Sequence, residues 1–224
     1  MNLLSYNNRK TKKTEEKTTI PCNEHLGCIE KVEMNGKIKS FNMYDDKKAL
    51  AAITYLLKLS NNIGDKYWLN KVMYYIERES LIRSGQPMFF DDLYSIKLGP
   101  IVSIINDQID QTSYPMKDWE WTKHIKLDGN SVKLISEADE SVLSPFEEEI
   151  IIEAYTKFKG WGFGKLKRYF HSLKEYQETN SRIPIKYEDI LRAAGFTNGE
   201  IEEGLSEISY INYLQEMLLC EQKK

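Results

Sequence analysis

The sequence predicts a mainly helical α+β fold, in which a helical core carries two small β-hairpins and an N-terminal extension. Two observations predict this class: apolar residues recur at helical spacing in most of the chain, and two shorter segments alternate apolar and polar residues around a turn. With 224 residues, of which 41% are hydrophobic, the chain is long enough to bury a sizeable core. We therefore expect one domain with an appendage rather than two small domains.

The N-terminal part of the chain is expected to form that appendage. Residues 1–20 are polar, carry charges of both signs and have almost nothing to bury, so they are expected to be disordered or loosely ordered. Residues 29–41 alternate around Asn35-Gly36, a dipeptide that favours the type I′ turn of a hairpin. The predicted organisation is a small β-hairpin extension over residues 21–44, a helical domain over 45–180 and C-terminal helices packed on that domain over 181–224.

Two helices are predicted to open the helical domain. Asp45 or Asp46 is expected to cap the first helix, which the Asn-Asn-Ile-Gly segment at residues 61–64 ends. Asp65 is expected to cap a second helix, and Gly85 offers the left-handed residue that ends it. Apolar residues cover most of the surface of this second helix, so it is predicted to lie in the middle of the core.

The segment after Gly85 is predicted to form short strands and then another helix. Aromatic and β-branched residues at 88–90 and 94–98 favour strands, and Gly99-Pro100 is expected to start the helix with proline in its first turn. Such a helix start would leave free N–H groups that an outside group can reach.

The rest of the chain carries clear local signals for one hairpin and four helices. Asp128-Gly129-Asn130 predicts a hairpin turn within residues 124–136. Four helix signals follow: the capping box 144–147 before a helix to Gly160, an amphipathic helix with apolar residues from 166 to 176 after the corner 161–164, a short helix ending at Gly195, and a second capping box at 197–200.

Charge and hydropathy argue against nucleic acid and membrane partners. The chain has 31 basic and 34 acidic residues, a formal net charge of −3, so no overall field draws it to nucleic acid or to an anionic surface. No run approaches the roughly 20 apolar residues that span a bilayer, and the polar N-terminus is unlike a signal peptide. The predicted location is therefore the cytoplasm.

Motifs of catalysis and cofactor binding are absent from the sequence. It has no phosphate-binding loop, dinucleotide fingerprint, zinc-protease motif or nucleophile elbow. Cys22, His25 and Cys28 resemble half of a zinc site, but no second pair of ligands follows at short spacing. The sequence predicts no enzyme, no metal and no cofactor. The alternative is a metal-dependent enzyme that uses His124 or His171 together with acidic residues.

Four short motifs follow one another in a fixed order through the centre of the chain. They are Lys71-Val-Met-Tyr-Tyr75, Glu77-Arg-Glu79, Ser84-Gly-Gln-Pro87 and Lys97-Leu-Gly-Pro100. In this order and spacing they resemble the Panacea-type antitoxin domain, with a resemblance that covers roughly residues 45–180. The family pattern also has a Thr-His pair followed by Pro-Trp, whereas this chain has Phe170-His171 and no tryptophan after it.

The resemblance implies an antitoxin of a bacterial or phage-encoded toxin–antitoxin system, with a role in phage defence. Such a protein neutralises its cognate toxin by direct binding, without a chemical step. An alternative within the same family is an adaptor that delivers the bound toxin to a protease. Because aromatic and arginine side chains anchor protein interfaces, the candidates for partner binding are Arg78, Phe90, Tyr94, Lys97 and Trp161.

Overall fold

The computed structural model describes residues 44–113 and 119–221. The N-terminal appendage, with its predicted hairpin at residues 29–41 and the cysteine and histidine segment at 22–28, lies outside the described residues. In the described part the fold is mainly helical α+β, as the sequence predicts, with eight α-helices and two small antiparallel sheets. No helix of the described ranges has the length and apolar character needed to cross a membrane.

The helices and strands alternate irregularly along the chain. The helices are α1 (Asp46–Leu59), α2 (Lys66–Ser84), α3 (Ser103–Gln111), α4 (Glu120–His124), α5 (Pro145–Phe158), α6 (Phe163–His171), α7 (Tyr187–Ala194) and α8 (Asn198–Glu221). The strands are β1 (Ile63–Asp65), β2 (Leu93–Ile96), β3 (Gly99–Val102), β4 (Ile125–Asp128), β5 (Ser131–Leu134) and β6 (Ile183–Pro184). A 3₁₀ turn over Glu140–Val142 precedes α5.

Helix α2 is the centre of the core, as predicted. Asp65 caps it by accepting a hydrogen bond from the Trp68 N–H at 2.9 Å, and Gly85 ends it with φ of 73°. Its buried residues face several directions, because α1, α3, α5, α6 and α7 all pack against it. Asp45 caps α1 in the same way, with its side chain accepting from the Lys48 N–H at 3.0 Å. Both predicted caps are confirmed.

Two three-stranded sheets flank the helical core. One has the order β1-β5-β4, in which the predicted hairpin turns at Gly129, with φ of 62°. The other has the order β3-β2-β6, with Tyr94 of β2 opposite Ile101 of β3 on one side and Pro184 of β6 on the other. Strands β1 and β6 are too short to show a periodic pattern in the sequence.

The prediction that Gly99-Pro100 starts a helix is wrong. Gly99 has φ of 99°, outside the helical region, and Pro100 pairs with Ser95 in strand β3. Strand β3 lies at the edge of its sheet, where proline is tolerated because a missing N–H leaves no partner unsatisfied. Helix α3 begins only at Ser103.

The sequence predicts free N–H groups at the start of this helix, and that prediction is also wrong. The two oxygens of the buried Asp91 carboxylate accept from the N–H groups of Ile104 at 2.8 Å and Ile105 at 2.9 Å. This carboxylate therefore caps α3 from a segment that precedes the hairpin.

Residues 88–90 do not form the predicted strand. The carboxylate of Glu77 in α2 accepts hydrogen bonds from the Phe89 N–H at 2.7 Å and the Asp91 N–H at 3.1 Å, so these groups do not pair with a strand. The residue between them, Phe90, adopts φ of 55°, which is unusual for a bulky side chain. The buried glutamate thus holds a left-handed residue in place.

The later helices agree with their capping signals. The predicted capping box of Ser144 and Glu147 opens α5, and that of Thr197 and Glu200 opens α8. Helix α6 differs from the prediction because it begins at Phe163 and ends at His171, before the apolar residues at 173 and 176.

The last helix is only partly covered. Ile201 and Ile208 of α8 are buried, and the first part of α8 packs on α7. Tyr210, Tyr213 and Leu214 farther along are exposed.

Candidate functional site

A cleft opens beside the N-terminal half of α2, and it encloses about 790 Å³. Its walls come from β1 and the adjoining half of α2, from the β2–β3 hairpin, and from the corner that joins α5 to α6. We call it the α2 cleft and define it by six lining residues: Tyr67, Lys71, Leu98, Trp161, Phe163 and Leu166. Because three separate segments of the chain meet here, only the folded protein has this site.

Lys71 is the buried cation of the α2 cleft. Its side chain is among the largest that are fully enclosed, and its ammonium donates a hydrogen bond to the carbonyl oxygen of Pro100. The ammonium also lies 5.1 Å from the centre of the Tyr67 ring, within range of a cation–π interaction. Burial lowers the pKa of Lys71 from 10.5 to about 7, since the charged form loses its water.

Gly99 allows the hairpin turn to approach this lysine. A Cβ atom at Gly99 would lie 3.3 Å from the Lys71 Nζ and 3.4 Å from the His171 Cδ2, and the backbone φ of 99° is one that other residues rarely adopt. Glycine therefore suits the backbone conformation, and any other residue would make the Lys71 and His171 side chains shift slightly. The lysine motif of α2 and the Lys-Leu-Gly-Pro motif of the hairpin meet at this point.

The rim of the α2 cleft is aromatic and apolar. Phe163 and Leu98 are 53% and 39% exposed, which is high for such side chains, and the Phe163 ring lies 4.8 Å from that of Tyr67. The Tyr67 hydroxyl donates to the Leu98 carbonyl oxygen at 3.0 Å and so ties the hairpin turn to α2. Trp161 packs edge-on against Phe158, with ring centroids 5.1 Å apart. The rim is thus fixed in place while part of its apolar surface stays open.

The charged groups in the walls are mostly cationic. Lys66 and Lys159 line the cleft together with Lys71, and Asp65 is the one acid among the described lining residues. The Asp65 carboxylate already accepts the helix-capping hydrogen bond of α2. Asn70 is 4% exposed, and its side-chain carbonyl oxygen has no hydrogen-bond partner among the described residues. The cleft can therefore pair with an anion and with an N–H donor.

Comparison with protein-family models gives a match to the family described as "Antitoxin SocA-like, Panacea domain", over residues 69–177. Residues 69–177 match the Panacea family. The predicted resemblance is confirmed over this segment, which is just under half of the chain and which we call the Panacea segment. A search of curated proteins and a search of solved structures found no match.

The Panacea segment contains all five of the candidate partner-binding residues, but the structure does not bring them together. Trp161 lines the α2 cleft. Lys97 is exposed in the turn between β2 and β3, beside the lining residue Leu98. Tyr94 is half-buried farther along β2, where the Arg182 guanidinium stacks 3.8 Å from its ring centre. Two of the five candidates are therefore in or next to the cleft.

Arg78 and Phe90, the other two candidates, have structural partners of their own. The Arg78 Nε donates to Glu175 at 2.6 Å, and the Glu175 side chain is 0% exposed. Phe90 is half-buried and its side chain packs against the hydrophobic core. Both positions lie in contacts that stabilise the Panacea segment.

Glu77 and Asp91 are two of the acids that the Panacea segment buries outside the cleft. Burial raises the pKa of Glu77 and that of Asp91 to about 7, against the opposing effect of the backbone N–H groups that each carboxylate accepts. The Tyr187 hydroxyl also donates to Glu77 at 3.3 Å. These acids fix the segment between α2 and α3, so we assign them a structural role.

The histidines of the alternative enzyme hypothesis lie in different places. The His124 ring contacts the carboxylate of Glu120 at 3.1 Å and the Ser136 carbonyl oxygen at 3.1 Å. His171 packs on Tyr176, with ring centroids 4.5 Å apart. Across the described ranges, no group of three or more histidine, cysteine, aspartate or glutamate side chains is placed to hold a metal ion.

Sequence reasoning missed the main residues of the cleft. In the sequence Lys71 stands out only as part of the family motif, and Tyr67 and Asn70 belong to the predicted second helix without a sign of their function. The available signal was a lysine at a helix position whose neighbours Leu69, Val72 and Met73 are apolar. A cation in such a place has to be paired or functional.

Proposed function

We propose that the protein is an antitoxin that neutralises a cognate protein toxin by binding it directly, without a chemical step. The observation that carries the proposal is the match of residues 69–177 to a family described as an antitoxin. The family match supports a general antitoxin role, and direct neutralisation is the more specific claim.

The geometry of the α2 cleft supports direct binding. Inhibition by contact requires a surface that is ordered before the partner arrives, because ordering it on binding costs affinity. The cleft meets this requirement, since the Tyr67 hydroxyl fixes the hairpin turn and Phe158 and Tyr169 fix Trp161. Its exposed aromatic and aliphatic rim has the composition of an interface anchor.

Co-expression with the adjacent open reading frame tests the proposal. The product of that reading frame should arrest growth by itself, and the full chain should restore growth and purify with the product as a complex. The control is the full chain expressed with an unrelated toxin, which should leave growth arrested. Restored growth without a complex would contradict neutralisation by direct binding.

A further inference from the structure

We infer that the α2 cleft receives a carboxylate of the toxin together with an adjoining apolar side chain, and that Lys71 is the cation that holds the carboxylate. This inference rests on the proposed function and specifies the chemistry of the partner. The carboxylate belongs either to an aspartate or glutamate side chain or to the end of the toxin chain.

The first argument is the incomplete pairing of Lys71. A lysine ammonium has three N–H donors, yet among the described residues it has one hydrogen-bond acceptor, the Pro100 carbonyl oxygen. No carboxylate of the described ranges lies within ion-pair distance of it, although its side chain is 1% exposed. A buried cation without an acid is unfavourable, and a carboxylate entering the cleft removes that cost.

The second argument is the unpartnered oxygen of Asn70. The Asn70 amide nitrogen donates to the Val102 carbonyl oxygen at 3.2 Å, which orients the side chain and leaves its oxygen without a donor. Asn70 and Lys71 line the same cleft. One wall therefore offers an acceptor for a peptide N–H and a cation for a carboxylate, the two groups that a peptide segment brings together.

The third argument is the character of the rim. Leu98, Ile63 and Phe163 are 39%, 47% and 53% exposed and all line the cleft, so an apolar side chain that enters would cover surface now open to water. Lys159 adds positive charge near the opening, and the charge of Lys66 is already paired with the Asp110 carboxylate. A free anion would be bound by the positive charge alone. A peptide in which an acidic residue adjoins an apolar one would be bound by both the charge and the apolar rim.

The titratable groups around Lys71 predict how binding depends on pH. Tyr67 of α2 and His171 of α6 are near it, Tyr176 packs on His171, and Asp65, Lys66 and Lys159 line the same cleft. Burial raises the pKa of Tyr67 to about 12 and lowers that of His171, so neither ring changes charge between about pH 7 and about pH 9. Lys71 loses its charge in this interval, because burial brings its pKa to about 7. A bound carboxylate favours the ammonium, so affinity should fall as the pH rises.

The test measures the dissociation constant of the full chain and the purified product of the adjacent reading frame. Lys71→Met removes the ammonium and keeps a side chain of similar length. It should weaken binding by about 10-fold to 100-fold, which is the loss expected when one hydrogen bond to a charged group is removed. Wild-type affinity should fall by about tenfold or more between about pH 7 and about pH 9, and the Lys71→Met variant should lack this fall.

A second pair of variants tests the rim. Leu98→Glu places a negative charge beside the cleft and should weaken binding about tenfold or more, because it repels the incoming carboxylate. Ile135→Glu is the matched control, since Ile135 is 57% exposed and does not line the cleft, and its dissociation constant should change by less than about twofold. Wild-type affinity in both Lys71→Met and Leu98→Glu, with both variants folded, would overturn the inference.

Changes in the toxin distinguish the two sources of the carboxylate. A glycine-serine extension of its C-terminus weakens binding if the chain end enters the cleft, and one aspartate-to-asparagine or glutamate-to-glutamine change weakens it if a side chain does. If none of these changes matters, the inference is wrong even though neutralisation stands. If the wild-type chain does not bind the toxin at all, the proposed function itself is wrong.

Discussion

The buried ammonium of Lys71 should make the protein more stable as the pH rises above neutrality, and Lys71→Met should remove that effect. The pKa of Lys71 is about 7 in the folded state, against an ordinary value of 10.5 that applies to the unfolded chain. Between these two values the unfolded state binds more protons, so the free energy of unfolding increases with pH.

The magnitude follows from the two pKa values. From about pH 7 to about pH 9 the unfolded lysine stays almost fully charged while the folded one becomes neutral, which adds about 2 kcal/mol to the free energy of unfolding. Glu77 and Asp91 act in the opposite direction, because burial raises each pKa to about 7 and both acids finish ionising in the folded state. Together they remove less than about 1 kcal/mol over the same interval. The net gain of the wild type is about 1 to 2 kcal/mol.

Urea unfolding followed by the fluorescence of the four tryptophans measures this gain at both pH values. The Lys71→Met variant keeps every other titrating group, so the difference between the two proteins isolates the lysine. The variant should show no increase with pH, and it should be no less stable than the wild type at about pH 7, since it no longer buries a charge. An equal increase in both proteins would refute the assignment of a buried, poorly paired ammonium.

Three further predictions test the contacts that build the site. Glu77→Gln should lower the free energy of unfolding by about 1 to 3 kcal/mol in urea unfolding, because it leaves a buried N–H or hydroxyl without an acceptor; an unchanged midpoint would contradict this. Gly99→Ala should lower the free energy of unfolding by about 2 kcal/mol or more, and Gly85→Ala by about 1 kcal/mol. Both glycines have positive φ, but only Gly99 has a close neighbour, so equal shifts in melting temperature would count against the close approach. Arg78→Ala should lower the free energy of unfolding by about 3 kcal/mol or more, because it leaves the fully buried Glu175 carboxylate without its ion pair. Lys97→Ala, in the exposed turn, is the control and should change it by less than about 1 kcal/mol. Similar melting temperatures for the two variants would show that the ion pair of Arg78 is not structural.

Local chemistry explains which elements the sequence could predict. The capping box at Ser144, the cap at Asp65 and the stop at Gly85 each involve residues within four positions of one another, and all three are confirmed. The hairpin turn at Gly129 is likewise encoded within a few residues. These elements are predicted correctly because the residues that determine them are close together in the sequence.

The error at Gly99-Pro100 has a distant cause. Proline is permitted both in the first turn of a helix and in an edge strand, so the dipeptide alone leaves the choice open. The choice is made by the pairing of Pro100 with Ser95 and by the hydrogen bond from Lys71, which lies 29 residues earlier. The α2 cleft could not be predicted for the same reason: its walls come from three separate segments, and Trp161 is the one predicted partner-binding residue that lines it.

The most direct test of neutralisation by binding is the molar ratio at which toxicity disappears. Purified toxin from the adjacent reading frame is titrated with the full chain, and toxin activity and complex formation are recorded in the same samples. Direct neutralisation predicts that activity falls in proportion to the complex and vanishes at a fixed stoichiometric ratio. Loss of toxin activity at trace amounts of the chain, with most of the toxin still uncomplexed, would contradict it and favour an enzyme.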